Sequence, residues 1–309
     1  MCFVSIPGNK TSRQLLDGGG YSRRHISFRV HRFRDFFVAA HFVVIMLTLW
    51  SSFLTLCATY GLTSERAIFV ATISLAHSGT FWGFVCFFRF LVPLIPTSSN
   101  WKLDHKTTQK ASPELKWKAY RNCIFNHCVM HPLFAYFFYD ISGMSVKASD
   151  APETAYVVFK QVLISMLLED FLFYWIHRSL HHRLIYKYVH KQHHEFKENI
   201  GVAAEYFHPV EDIFNLIPFL SGPLLQGMHL STFLVWTVIR ISEIVDAHSG
   251  YKLPFSPWEI SMRIQGGADR HEFHHSHNKG SYGSFTKFWD WAFGTDEPYN
   301  EWKAKQKAA

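Results

Sequence analysis

Ten of the 20 histidines in this 309-residue chain lie in two short stretches, 177–194 and 271–277. They form three clusters: His177, His181 and His182; His190, His193 and His194; and His271, His274 and His275, with His277 just beyond. Residues three or four apart share one face of a helix, so each cluster can bring two or three imidazoles to one point. Together they offer enough ligands for two metal ions. Neutral imidazole suits iron, zinc and copper, while the five cysteines form no CxxC pair and argue against a soft-metal site. A haem protein would use one or two axial ligands. Soluble di-iron bundles rely on glutamates with ExxH. A zinc peptidase is not the expected reading either. A histidine-dominated set leaves a metal pair more positive, which suits O2 activation against an unactivated C–H bond. His25, His31, His41, His77 and His105 stand singly and read as core or surface residues. His127 and His131, four apart in an apolar run, read as polar contacts within a helix bundle.

The elements that must position these clusters are apolar. Hydrophobic residues make up 48% of the chain, aromatics 17% and charged residues 18%. Soluble domains carry about 25% charge, so the surface is short of it. The apolar residues gather in blocks at 36–57, 67–96, 120–139 and 155–176, each near the ~20 residues of a membrane span. A further apolar stretch, 213–245, is broken by SGP at 221–223 and by Gly227, and is expected to form a helical hairpin partly sunk in the bilayer. Basic residues crowd the first 35 residues and the 101–121 loop, which places the N-terminus and the histidine clusters in the cytosol by the positive-inside rule. The net charge of +7 then reads as contact with anionic lipid headgroups, not with nucleic acid. The expected fold is an all-α integral membrane protein. Four transmembrane helices lie within 36–176 after a cytosolic basic tail, 1–35, and a histidine-rich helical cap occupies 177–299. The tail 300–309 carries Lys305 and Lys307, a pattern like a dilysine endoplasmic-reticulum retrieval signal.

The clusters and their surroundings resemble the fatty acid hydroxylase/sterol desaturase superfamily, over residues 120–299. Within it the chain looks most like the sterol C-4 methyl oxidases (methylsterol monooxygenases). The stretches that carry this are HRSLHHRLIYKYVHKQHHEF (177–196), AAEYFHPVED (203–212), VDAHSGYKLPF (245–255) and RHEFHHSHNKGSYGSFTKFWDWAFGTDEPY (270–299), with IFNHC at 124–128. The resemblance implies a pair of non-haem iron ions, O2 as co-substrate, and NAD(P)H electrons delivered through cytochrome b5 or its reductase. It implies a sterol or other lipid substrate at the endoplasmic-reticulum membrane. Carried over residue by residue, the ligands are His177, His181, His190, His193, His194, His271, His274 and His275, then His248 and His208. His182 stands as the alternative to His181. Glu205, Glu211, Asp246 and Asp269 are expected to orient ligating rings. The rival readings are a sterol side-chain hydroxylase, a sterol desaturase, a fatty acyl hydroxylase and, from a different class, a membrane metal-binding or transport protein.

Overall fold

The computed structural model describes residues 52, 55–61, 64–103, 109–144, 153–260 and 267–308. The basic tail and most of the first apolar block lie outside these. Among the described residues the secondary structure is helical, with no strand and one isolated bridge, Lys102 to Tyr251. The helices are α1 (Glu65–Cys86), α2 (Pro113–Phe125), α3 (His131–Ser142), α4 (Ala155–Leu180), α5 (Pro209–Leu225), α6 (Leu230–Ala247), α7 (Pro257–Ile260), α8 (Gly267–His277), α9 (Phe288–Ala292) and α10 (Glu297–Ala308).

Their starts follow capping chemistry. Ser64, Ser112 and Thr154 accept backbone N–H groups from Ala67, Leu115 and Val157 at the starts of α1, α2 and α4. At α5 and α6 a histidine does this work, through Nδ1 of His208 and His229. A π-helical turn, Asn126–Met130, joins α2 to α3 without a break. Gly143, with φ of 60°, ends α3 in the left-handed conformation that glycine takes without strain.

α6 is buried on nearly every face and forms the centre of the bundle. α1 packs on α3 and α6, α4 packs on α5, and α8 docks on α6. The 213–245 stretch does form a helical hairpin. Its turn falls at Gln226–His229 and not at SGP, because Pro218 and Pro223 are accommodated inside α5.

The α4–α5 crossing depends on Gly222. A Cβ there would sit 2.5 Å from Ser165 Cα. Alanine is favoured over glycine in a helix by about 1 kcal/mol, whereas overpacking costs about 1–3 kcal/mol or more. Backbone cannot yield as a flexible side chain can, so the clash should win. Gly222→Ala is expected to lower thermal stability in detergent. A variant as stable as wild type would show that the two helices can part at no cost.

One helical stretch among the described residues, Glu65–Leu94, is long and apolar enough to cross a membrane. Only 28% of its apolar window is buried, unlike the core helix of a soluble protein. α4 also carries an exposed apolar stripe at helical spacing: Tyr156, Phe159, Leu163, Leu167, Phe171 and Trp175. At about 1.5 Å per residue this 26-residue helix is about 39 Å long. The 300–309 tail is the end of α10, with Lys305 and Lys307 exposed on it.

Candidate metal centre

The apolar helices deliver their polar cargo at their ends. His177 lies on the last turn of α4, and His181 caps that helix. His248 caps the C-terminus of α6, and His271, His274 and His275 lie on α8. The second cluster is not α-helical. Residues 181–192 run through tight turns, and His193 and His194 open a short 3₁₀ turn. This irregular backbone lets neighbouring His193 and His194 serve different partners.

The nine rings fall into two groups. His177, His181, His190, His194 and His274 form one, and His193, His248, His271 and His275 the other. Within the first, ring nitrogens lie 3.1 Å apart for His181 and His274 and 3.0 Å for His190 and His194. Within the second, the separations are 3.4 Å for His193 and His248, 2.8 Å for His248 and His271, and 3.1 Å for His271 and His275. Metal–imidazole bonds of about 2.0–2.1 Å place neighbouring ligand nitrogens about 2.9 Å apart at a right angle and about 3.4 Å apart at a tetrahedral one. The observed separations match the edges of such polyhedra. The groups adjoin, the His194 and His275 rings stacking 4.6 Å apart.

The far side of each ring decides which nitrogen is free to ligate. A carbonyl can only accept, so Nδ1 of His177, His248, His274 and His275 must donate to Tyr282, Ile244, Gly280 and Phe196 respectively. That leaves their Nε2 lone pairs facing the groups. Nδ1 of His190 faces Glu211 Oε1 at 2.7 Å. Burial, and then Asp212, pushes the Glu211 carboxyl well above its usual range. Burial also holds all nine imidazoles below the ordinary histidine range, bringing His177 and His248 each to about 4. At neutral pH they are uncharged, the form that binds metal. The negative C-terminal ends of α4 and α6 both favour a cation here.

Of the four acidic residues expected to orient such rings, Glu211 is the one that faces a ring of the two groups. Glu211→Leu should weaken metal retention by about 10–100-fold, while Glu211→Gln keeps an acceptor for the ring and should fall less. Equal metal content in both variants and wild type would remove Glu211 from this role.

The other expected residues sit elsewhere. His208 is in neither group; its Nδ1 caps α5. His182 is exposed and accepts from the Leu184 N–H, so the first group takes His181. Asp246 accepts from Ser256, and Asp269 from Tyr299 and Lys303. Glu205 faces His127 and His77, not the clusters. Burial pushes its carboxyl up, but the facing imidazoles outweigh that and hold it at about 2. HEFHH (271–275) does satisfy the HExxH pattern of zinc peptidases. Here the two histidines of that pattern share a group with His193 and His248, so four imidazoles stand where a peptidase would keep an open position.

A small cavity of about 50 Å³ touches His177, His190, His193, His248 and His271. A larger, mainly apolar one of about 320 Å³ runs between α1, α3, α5 and α6. Phe207, Asn215, Arg240 and Ile244 line both. The outer lip of the larger cavity, Phe137 and Ile141, is exposed.

Residues 162–295 match the Fatty acid hydroxylase family. The chain is 37% identical over 213 residues to the very-long-chain aldehyde decarbonylase GL1-8 of Oryza sativa subsp. indica, covering 68% of this chain and 78% of the relative. It belongs to the fatty acid hydroxylase family. Methylsterol monooxygenase 1 of Gallus gallus is 33% identical over 75% of this chain and 78% of its own length. Methylsterol monooxygenase 2-1 of Arabidopsis thaliana is 35% identical over 67% of this chain and 80% of its own length. No solved structure matches this fatty acid hydroxylase family member. Both histidine groups lie within the matched family segment.

Proposed function

We propose that this chain is a membrane-bound, O2-dependent oxidoreductase that oxidises the C-4 methyl group of sterol precursors. The observation that carries this is the adjacency of nine imidazoles in two groups to an apolar cavity with an exposed apolar lip. The similarity to methylsterol monooxygenases supports the choice of substrate.

His177, His181, His190, His194 and His274 would hold one iron, and His193, His248, His271 and His275 the other. When bound, the iron pair supplies the activation of O2. The rest of the task falls to the chain. A lipid enters from the bilayer past Phe137 and Ile141 and lies along Phe134, Phe138, Leu216 and Phe219. The apolar lining excludes water and leaves the substrate little to bind except by shape. Phe207 and Ile244, on the wall shared with the small cavity, set how far the reacting carbon advances. Each turnover inserts one oxygen atom into a C–H bond and consumes two electrons and two protons to release the other as water. The electrons come from NAD(P)H through cytochrome b5 or its reductase. The site belongs on the cytosolic face of the endoplasmic reticulum, where a chain with the described apolar surfaces and a cytosolic histidine region would work.

A second reading takes its support from the aldehyde decarbonylases, to which the chain is similarly close: the same centre acting on a long-chain aldehyde. Lipid profiling separates the two. Depletion of the protein in its own cells should raise 4-methyl and 4,4-dimethyl sterols, and wild type but not His193→Ala should clear them. Unchanged sterols with a rise in long-chain aldehydes would overturn the sterol reading in favour of the second.

A further inference from the structure

Beyond the nine-histidine centre, three more histidines and a carboxylate converge. They are His77 on α1, His127 in the π-turn, His131 at the start of α3, and Glu205 in the 3₁₀ turn before α5. One ligand atom from each lies within 4.8 Å of the others. Glu205 Oε2 is 2.6 Å from His127 Nε2, and Oε1 is 3.4 Å from His77 Nε2. The three rings face one another with centroids 4.6–5.1 Å apart. The surroundings are apolar, with Phe81 and Trp82 set edgewise against His127.

We propose that His77, His127, His131 and Glu205 form a third metal site, for a divalent ion of the zinc or ferrous class. A buried carboxylate needs compensating positive charge. Arg240 is committed to Glu169 and Glu243, and the ion pairs of Glu205 are with imidazoles. Three imidazoles, which bind metal in their neutral form, and one carboxylate make a nitrogen–oxygen set suited to iron or zinc, with a net charge of +1 once a divalent ion is bound.

The backbone is also specialised here. The five-residue π-turn inserts irregular geometry into an otherwise continuous helix at His127, and such turns recur at functional sites. The Nδ1 atoms of these three histidines have no hydrogen-bond partner among the described residues, which is equally true of His193 and His194 in the nine-histidine centre. Asp212 Oδ2, 3.4 Å from His131 Nε2, stands as a further donor at the rim.

The site is separate from the nine-histidine centre. Phe207 packs its ring against His193, while Glu205, two residues earlier, faces the other cluster. His77, His131 and Glu205 line the larger cavity, so an open coordination position would face the lipid.

The test is a metal count on detergent-purified full-length protein, loaded with zinc, freed of excess ion and measured by mass spectrometry. It needs no substrate and no turnover. Wild type should hold one ion more per chain than His127→Gln, which keeps an N–H for Glu205 but removes the imidazole. Glu205→Gln should show the same loss of one. Equal counts in wild type and a folded variant would overturn the site, whatever the nine-histidine centre holds. If neither variant folds, His77→Gln is counted in their place, and the same difference of one ion from wild type decides.

Discussion

His248→Ala is expected to leave the protein with one ion of its main centre and almost no activity. His248 belongs only to the four-imidazole group, and its removal leaves three ligands there. The five-imidazole group keeps its full set. His190→Ala removes a ligand from the larger group instead, which then still has four. The two variants therefore differ in severity: metal loss should be more complete for His248→Ala. Activity should fall in both, because a bound metal contributes several kcal/mol of transition-state stabilisation, or about 10³-fold in rate. Metal counting beside single-turnover assays checks this. If each variant loses both ions, the two groups do not bind independently. If each keeps both, the grouping is wrong.

Arg240→Met should be among the most destabilising changes away from the histidines. The guanidinium is buried with Glu169 and Glu243, at 2.7 and 2.6 Å. Methionine fills similar space but leaves two carboxylates facing each other without a cation. Breaking a buried pair in this way costs about 3–5 kcal/mol, far more than the pair itself contributes over apolar residues of the same shape. Adding Glu169→Leu to the variant should therefore recover part of the loss. Unfolding in detergent measures both. If the second substitution lowers stability further, the network contributes through packing and not through charge. Arg240 also stands on the wall between the two cavities, so its loss should disturb substrate position in whatever protein remains folded.

The main centre was legible because its residues are clustered. HxxHH spacing brings imidazoles together locally, and a scan of neighbouring positions finds them. How they divide between two groups was not legible. His193 and His194 part company only because their backbone is a 3₁₀ turn following irregular turns, which no helical periodicity announces. His208 carries the same side chain as a ligand, but the Pro209 that follows marks it as the residue before a helix. That signal could have shown its capping role. The cluster around Glu205 was hidden for the opposite reason. Its members come from residues 77, 127, 131 and 205, and only tertiary packing unites them. The one local hint was His127 and His131, four apart in an apolar run. Of the acidic residues, Glu211 and Glu205 each face a ring, though only Glu211 faces one of the main centre.

The nine histidines reach the centre from the ends of α4 and α6, from the irregular turns between and from α8, across residues 177 to 275. An ion bound there closes loops that the chain alone would have to close against its own entropy. Binding free energy that appears only in the folded state is folding free energy. The unloaded chain would instead crowd nine imidazoles, many with only one another for partners, into a dry interior, and this part of the chain would open more often. Proteolysis follows how often a segment opens. A cell short of metal would then hold less of this protein, and not merely an idle form of it: supply would be read as lifetime before it was read as rate.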